Sequence, residues 1–169
     1  MRVIAFSCVH WMTRETQVEV YGYDEPLEYN PFLRLCELIL DTRPDAVVNL
    51  GDFTEDAWEN PTRKLPNSYA RIQLGKALHK IAGNHDQYGA QFMELDGIRY
   101  EHGHKLGIPG ADSSVDGYIK DLRANTAGMR IVHGHTHVPA GPWPLDVGSV
   151  TFSRTYGEIV DGVPVLKVL

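Results

Sequence analysis

The sequence contains only two cysteines, Cys8 and Cys36, among 169 residues. A small disulfide-stabilised fold needs more than two, so this composition excludes a secreted disulfide scaffold. Cys36 lies on the apolar stripe of a predicted helix, and we expect it to be a core residue rather than a disulfide partner of Cys8. A chain of this length can bury a core without disulfides, so we expect a single domain that spans residues 1–169.

Long apolar runs and an excess of positive charge are also missing. No run of about 18 apolar residues could cross a membrane, and no basic-then-apolar signal sequence opens the chain. We therefore expect a cytoplasmic protein without a membrane partner. The formal net charge of −6 argues against a long nucleic acid as partner, because that would need a basic face. A small nucleotide as ligand and a homo-oligomer as assembly state both stay open.

The alternation and spacing of apolar residues predict eight strands and three helices. The strands are expected at 3–7, 46–50, 78–82, 98–101, 130–133, 146–152, 157–160 and 163–168. The helices are expected at 31–41, with Asn30 as the cap, at 67–78 and at 114–123. Two long connections, 11–29 and 53–66, are predicted as loops. Loops of this length in a compact domain are usually functional or mobile, and the alternative is a surface segment that only shields the core.

Seven of the eight histidines fall in polar clusters, and these clusters follow predicted strands. With one further cluster that supplies a carboxylate, they are Cys8-Val9-His10, Gly51-Asp52, Gly83-Asn84-His85-Asp86, His102-Gly103-His104 and His133-Gly134-His135-Thr136-His137. Ligands of open sheets bind beyond the strand ends, where side chains from several strands converge. We therefore expect the five clusters to build one site at the end of a single sheet.

The residue types in these clusters are those that hold divalent metal ions. Cys8 and His10 should share one side at the end of the first strand, because strand side chains alternate, and both types ligate metals. Histidine nitrogens suit Zn, Fe, Ni or Mn, and an aspartate can bridge two cations with its two oxygens. The pattern therefore fits a two-metal centre that clamps a phosphate.

In order along the chain, the five clusters resemble the motifs of the calcineurin-like metallophosphoesterase superfamily. Its pattern is Asp-x-His, Gly-Asp, Gly-Asn-His-Asp/Glu, a His-Gly segment and Gly-His-x-His. The later stretch Asp146-Val147-Gly148-Ser149-Val150 resembles the Asn-Pro-Gly-Ser-Val stretch of the small capless bacterial and phage-type branch. The resemblance covers nearly the whole chain and implies an α+β fold, a four-layer sandwich of two mixed β-sheets flanked by helices.

The resemblance also implies a set of site residues and two divalent metal ions, with Mn, Zn, Fe and Ni as candidates. The first metal would be held by Cys8, His10, Asp52 and His137, with Asp52 bridging, and the second by Asn84, His102 and His135. His102 is preferred over His104 because the family uses the first histidine of that segment. His85 would contact the phosphate with Asn84 and protonate the leaving oxygen, and Asp86 would orient His85.

The activity implied is a metal-dependent phosphoesterase in which a metal-bridging hydroxide attacks phosphorus and His85 acts as the general acid. The expected substrate is a small phosphate ester or nucleotide, including a cyclic one, with a diester favoured over a monoester. The alternative is a metal-binding scaffold that keeps the fold with reduced or no catalysis. The loop aromatics, Trp11, Tyr21, Tyr23 and Trp58, would either stack on a base or pin the loops to the core.

Cys8 departs from the family pattern, which usually has aspartate at this position. Three interpretations stay open. The thiolate ligates the first metal and shifts its preference toward Zn or Fe, or Cys8 is a small buried hydrophobe, or it is a position that oxidation switches off. Its spacing of two residues from His10 favours ligation.

Overall fold

The computed structural model of the protein describes residues 1–22, 25, 27–54, 64–75, 77–86, 89–106 and 114–169. Within these residues the chain forms four helices and nine strands. The helices are α1 Arg14–Tyr21, α2 Asn30–Thr42, α3 Asn67–Leu74 and α4 Val115–Thr126. The strands are β1 Arg2–Phe6, β2 Ala46–Asn49, β3 Leu78–Lys80, β4 Phe92–Leu95, β5 Ile98–Glu101, β6 Ile131–His133, β7 Leu145–Asp146, β8 Thr155–Val160 and β9 Val163–Val168.

The strands form two mixed sheets. The first has the order β3-β2-β1-β8-β9, in which β1, β2 and β3 are parallel and β8 and β9 are antiparallel to their neighbours. The second has the order β4-β5-β6-β7, in which only the edge strand β4 is antiparallel. Helices flank the sheets, so the predicted architecture of two mixed sheets with helices around them is confirmed.

Two apolar cores separate the layers, and strand β1 contributes to both. Ile4 and Phe6 point to one side and pack in the core that contains Phe32 of α2. Val3 and Ala5 point to the other side, into the core that the first sheet shares with β5 and β6 of the second. The period-two alternation of a strand buried on both faces explains this division.

The largest error of the sequence prediction is helix α1, which lies inside the connection predicted as a loop. The hydroxyl of Thr13 accepts a hydrogen bond from the amide of Thr16 and caps the start of the helix. Gly22 adopts the left-handed conformation, and its amide donates to the carbonyl of Val18 to close the end. These are ordinary cap signals, which the polar and aromatic composition of the segment obscured.

The bounds of the other three helices also differ from the prediction, and α4 extends to Thr126 rather than to residue 123. Asn30 is the first residue of α2 rather than its cap, and Tyr29 precedes the helix without a side-chain cap bond. Helix α3 ends at Leu74 rather than at residue 78, because Gly75 is already extended and leads toward β3. Helix α4 starts after Ser114, whose hydroxyl accepts from the amide of Gly117.

Among the strands, one was missed and two were predicted clearly too long, namely 78–82, which ends at Lys80, and 146–152. Strand β4 pairs with β5 through the turn at Asp96 and Gly97, both left-handed, as is typical of a two-residue hairpin. The predicted strand 146–152 is a strand only at Leu145–Asp146. The residues after Asp146 turn back instead, and their hydrogen bonds go to the loop that follows β1.

Two further findings concern cysteines and membranes. Cys8 and Cys36 are both free thiols, and Cys36 is buried in the helix-side core as expected. Of the helices formed by the described residues, none combines the length and the apolar character needed to cross a bilayer.

Candidate metal centre

The five polar clusters lie beyond the carboxyl ends of β1, β2, β3, β5 and β6. The expectation that they belong to one sheet is wrong, because three follow strands of the first sheet and two follow strands of the second. The five clusters nevertheless converge, because the two sheets pack face to face with these strand ends on the same side.

The loop after β1 positions Cys8 and His10 by pairing with the loop after β2. The amide of Cys8 donates to the carbonyl of Gly51 at 3.0 Å, and the amide of His10 donates to the carbonyl of Asp52 at 3.1 Å. Strand alternation is not the reason that Cys8 and His10 share a side, because β1 already ends at Phe6.

Five of the predicted ligands adopt left-handed backbone conformations. Their φ angles lie between 50° and 71°, and the residues are Cys8, His10, Asp52, His135 and His137. Such conformations are costly for residues with a Cβ atom and concentrate at functional sites. At the same place glycine is required at Gly83, because an added Cβ would collide with the carboxylate and amide of Asp52.

On one side of the centre, the atoms that could bind a metal ion lie close to Nε2 of His102. Its Nδ1 lies 2.8 Å from the carbonyl oxygen of Leu50, which can only accept, so this nitrogen carries the proton. In the neutral ring Nε2 then presents a lone pair, 3.0 Å from Oδ2 of Asp52 and 3.1 Å from Oδ1 of Asn84. Nδ1 of His135 is also 3.1 Å away. Only a cation, either a proton or a metal ion, reconciles a histidine lone pair with a carboxylate oxygen at this distance.

The donor atoms on the other side come from Cys8, His10 and His137, which lie within 4.8 Å of one another. The Nε2 atoms of His10 and His137 are 3.2 Å apart, and Nδ1 of His10 is 3.1 Å from the hydroxyl of Tyr21. Cys8 also forms a second such group with Asp52 and His102, again within 4.8 Å. The thiol therefore lies between the two halves of the centre.

The protonation states of these side chains fit a site for divalent cations. Burial, reinforced by His102, lowers the pKa of His135 to about 3, and burial with His10 lowers the pKa of His137 to about 4. Both rings are therefore neutral lone-pair donors at neutral pH. Burial opposes ionisation of Asp52, but the hydrogen bond and charge of His102 outweigh it and lower the pKa of the carboxyl. Neutral imidazoles with a carboxylate are a suitable donor set for Zn, Fe, Ni or Mn.

Cys8 needs a cation to become a ligand. Complete burial, and next the charge of Asp52, raise the pKa of the Cys8 thiol well above its usual value. The sulfur lies 3.0 Å from the hydroxyl of Ser7. A bound metal would deprotonate such a thiol outright, whereas without one it stays neutral.

The carboxylate of Asp86 accepts hydrogen bonds from backbone amides around the centre. One carboxylate oxygen accepts from the amides of Asp52 at 3.0 Å and Gly83 at 3.2 Å. The other accepts from the amides of Phe53 at 2.5 Å and Thr54 at 3.2 Å. Asp86 thus holds the loops after β2 and β3 together, and its predicted role in orienting His85 stays a prediction.

His85 and His104 border the centre from different sides. The amide of His85 donates to Oδ1 of Asp52 at 2.9 Å, and its half-buried ring lies 5.3 Å from the ring of His10. The structure brings His102, rather than His104, to Asn84 and Asp52. The ring of His104 stands 5.3 Å from the ring of His102 on the outer side.

Sequence reasoning missed the part played by the turn at residues 147–153. Ser149 donates to the carbonyl of Cys8 at 2.7 Å, and Thr151 donates to the carbonyl of Val9 at 2.6 Å. Phe152, which is 42% exposed, stacks on the ring of His137 at 4.9 Å. Gly148 and Ser149 are residue types that favour a turn, but the segment was predicted as a strand.

The aromatic residues of the two long connections were expected either to stack on a base or to pin the loops to the core, and the described ones differ in role. Trp11 is buried, and its ring packs 4.6 Å from Tyr29, so it pins the loop to the core and offers no free face to a base. Tyr21 contacts a predicted ligand, His10, through its hydroxyl. Tyr23 and Trp58 lie outside the described residues.

The sequence model of the calcineurin-like phosphoesterases matches residues 1–120 of the chain, which therefore belongs to this family. Membership supports a phosphoesterase that acts on a phosphate ester, and it implies divalent metal ions. The Gly-His-Thr-His segment lies beyond the matched residues, yet the fold brings its His135 back to His102.

Solved structures with a similar fold include YfcE, a phosphoesterase from E. coli, with 19% sequence identity and a TM-score of 0.52. That alignment covers 95% of this chain and 89% of YfcE. An uncharacterised protein from Streptococcus pneumoniae TIGR4, described as a predicted phosphoesterase, shares 16% identity with a TM-score of 0.49. The alignment covers 98% of this chain and 96% of that one. A comparison with curated protein sequences gives no significant match.

Proposed function

We propose that this chain, as one domain over residues 1–169, is a dinuclear metal phosphoesterase that hydrolyses a small phosphodiester or phosphomonoester. The observation that carries the proposal is the pair of adjoining donor groups that meet at Cys8, one with His10 and His137 and one with Asp52 and His102. Histidine, thiol and carboxylate donors packed this closely are the arrangement expected of a transition-metal site.

In this proposal Cys8, His10, Asp52 and His137 hold the first ion. Asn84, His102 and His135 hold the second, and Asp52 is shared. The chemistry that two such ions supply is neutralisation of phosphoryl charge and activation of water. The protein orients the donors: the carbonyl of Leu50 fixes the tautomer of His102, and the hydroxyl of Tyr21 contacts the outer nitrogen of His10.

His85 is the general acid of the proposed reaction. Its backbone amide donates to Asp52, and its half-buried ring stands beside the ring of His10. From there it would donate a proton to the leaving oxygen as the ester bond breaks. Asn84 is exposed next to it and would contact the phosphate.

A small nucleotide, cyclic or linear, is the proposed substrate class. The ring of Phe152 rests on His137 and is 5.6 Å from the ring of His10, and it remains partly exposed at the edge of the centre. A base or another planar group attached to the phosphate could stack on such a ring.

The test begins with metal-free protein loaded with Mn, Zn, Fe or Ni. Hydrolysis of bis-nitrophenyl phosphate, nitrophenyl phosphate and cyclic nucleotides is then measured. His85→Ala should lower kcat by about 10²–10⁴-fold for cyclic nucleotides, whose leaving group needs a proton, and by less for nitrophenyl esters. His79→Ala, which changes the histidine outside the clusters, is the matched control and should retain activity. Two bound metals without turnover of any ester would instead indicate a scaffold.

A further inference from the structure

A pocket with a volume of about 340 Å³ opens beside the proposed second-metal ligands. Its described lining includes Asn84, Gln91, His104 and Lys105. An adjoining pocket of about 280 Å³ shares Gln91, His104 and Lys105 and reaches His102. We call these two neighbouring pockets together the recess. Of its described lining residues, only Asn84 and His102 have a role in the proposed function.

The recess is in direct contact with the metal centre. Asn84 lines it, and Oδ1 of the same residue lies 3.1 Å from Nε2 of His102. His104 forms the wall between them, since its ring is 5.3 Å from that of His102 and 6.1 Å from that of His135. A substrate held at Asn84 would extend into this recess over a short distance.

Three charged side chains of the described residues line the recess, and since Arg99 and Glu101 form an ion pair with each other, the charge that is left comes from Lys105. Its side chain is exposed and donates to Oε1 of Gln91, which leaves two of the three ammonium hydrogens for another acceptor. No carboxylate among the described residues forms a salt bridge with Lys105, whereas the neighbouring Arg99 is paired with Glu101 at 2.5 Å. In a protein with a net charge of −6, a lysine that has no carboxylate partner in the described part of the chain and lies beside a phosphate site favours an anion locally.

We propose that Lys105 and Gln91 form a subsite for a second phosphate group of the substrate, next to the phosphate that is hydrolysed. The inference rests on the proposed function, and it narrows the substrate class to small molecules with two phosphates, such as a nucleoside bisphosphate or a short oligonucleotide. The ammonium would turn from Gln91 toward the phosphate, and the amide of Gln91 would donate alongside it.

Binding of two adenosine ligands to the metal-loaded protein tests the subsite by calorimetry. Adenosine 3′,5′-bisphosphate should bind at least about tenfold more tightly than adenosine 5′-monophosphate, because its second phosphate adds a charge-assisted hydrogen bond and tenfold corresponds to only about 1.4 kcal/mol. Lys105→Gln should remove this preference, and Lys105→Arg should retain it. Lys167→Gln removes the same charge from β9, at the far edge of the first sheet, and should leave the preference unchanged.

The outcomes separate the subsite from the proposed function. Bis-nitrophenyl phosphate carries one phosphate, so its hydrolysis reports on the function alone. Equal binding of the two adenosine ligands to the wild type, or a preference that survives Lys105→Gln, would refute the subsite while activity stands. A preference that depends on Lys105 in a protein inactive on every ester would support the subsite and refute the function.

Discussion

Cys8 places a thiol where the family usually carries an aspartate. Its sulfur is buried and belongs to both donor groups of the centre, with His10 and His137 on one side and Asp52 and His102 on the other. A redox-sensitive cysteine needs an accessible thiol of low pKa, and burial raises the pKa of Cys8 instead. Of the three interpretations of this residue, metal ligation agrees best with its surroundings.

Replacement of Cys8 by serine should weaken binding of the first metal ion, which Cys8 is proposed to hold with His10, Asp52 and His137. A neutral hydroxyl is a poor ligand, so the loss should exceed the ~10–100-fold that removal of a ligand's hydrogen-bond partner typically costs. Cys8→Asp should restore binding and shift the preference toward Mn. Calorimetric titration and elemental analysis measure both effects, with Cys36→Ser, the other buried thiol, as control. Wild-type affinity in Cys8→Ser would assign Cys8 to packing.

Replacement of Asp86 by asparagine should reduce the stability of the fold. The variant would place an amide group against two of the four backbone N–H groups that now donate to the carboxylate, at a cost of about 2–4 kcal/mol in the free energy of unfolding. Urea denaturation measures the change, and Asp41→Asn on the exposed side of α2 should cost less than about 0.5 kcal/mol. Unchanged stability with lost activity would show that Asp86 acts through His85 instead.

At the scale of elements, two segments that bind no metal themselves hold the loop of Cys8 and His10. Helix α1 brings Tyr21 to the outer nitrogen of His10. The turn at 147–153 ties the backbone of the loop through Ser149 and Thr151. Together with the bonds from the amides of Cys8 and His10 to the loop after β2, the backbone bonds of this turn hold the left-handed conformations of Cys8 and His10.

The contact between α1 and the centre predicts the behaviour of Tyr21→Phe. Loss of the hydroxyl that contacts His10 should weaken binding of one metal equivalent by about 10–100-fold and leave the other nearly unchanged. Calorimetry with successive equivalents of Zn resolves the two. Tyr156→Phe, which removes a hydroxyl from β8 where it packs near α2, should bind both equivalents normally. Equal losses in the two variants would argue against a specific role for α1.

At the scale of the whole molecule, the centre joins the two sheets. Asp52 comes from the first sheet and His102 from the second, and their side chains meet at 3.0 Å. A cation held between them should therefore bind the folded chain far better than the unfolded one, since only folding brings these donors together.

Metal should consequently raise the thermal stability of the protein. At a free concentration 100 times Kd the gain is about 2.7 kcal/mol, or about 5–10 °C in Tm for a chain of this size. Calorimetric scans with Zn or Mn, and after removal by a chelator, measure the shift. Asp52→Asn should reduce it strongly. A Tm that does not respond to any of the candidate metals would contradict the assignment of the centre.

The sequence by itself determined the types of the candidate ligands, their order along the chain and the strands that precede them. It could do so because apolar strand runs and polar strand ends are local patterns, and the confirmed bounds of β5 at Ile98–Glu101 and β9 at Val163–Val168 show how well such patterns are defined. The Asp96-Gly97 turn and the caps of α1 are local signals of the same kind. The turn predicts the missed strand β4, and the caps predict the missed helix α1.

Only the tertiary structure decided which donors meet. The division of the clusters between two sheets, the place of Cys8 between both donor groups and the four amides around Asp86 depend on contacts between segments far apart in the chain. The approach of Phe152 to His137 and of Lys105 to Gln91 has the same origin. The spacing of residues along the chain specifies on which face or at which end of a strand or helix a side chain lies. The distances between the ends of different strands are set by how the layers pack.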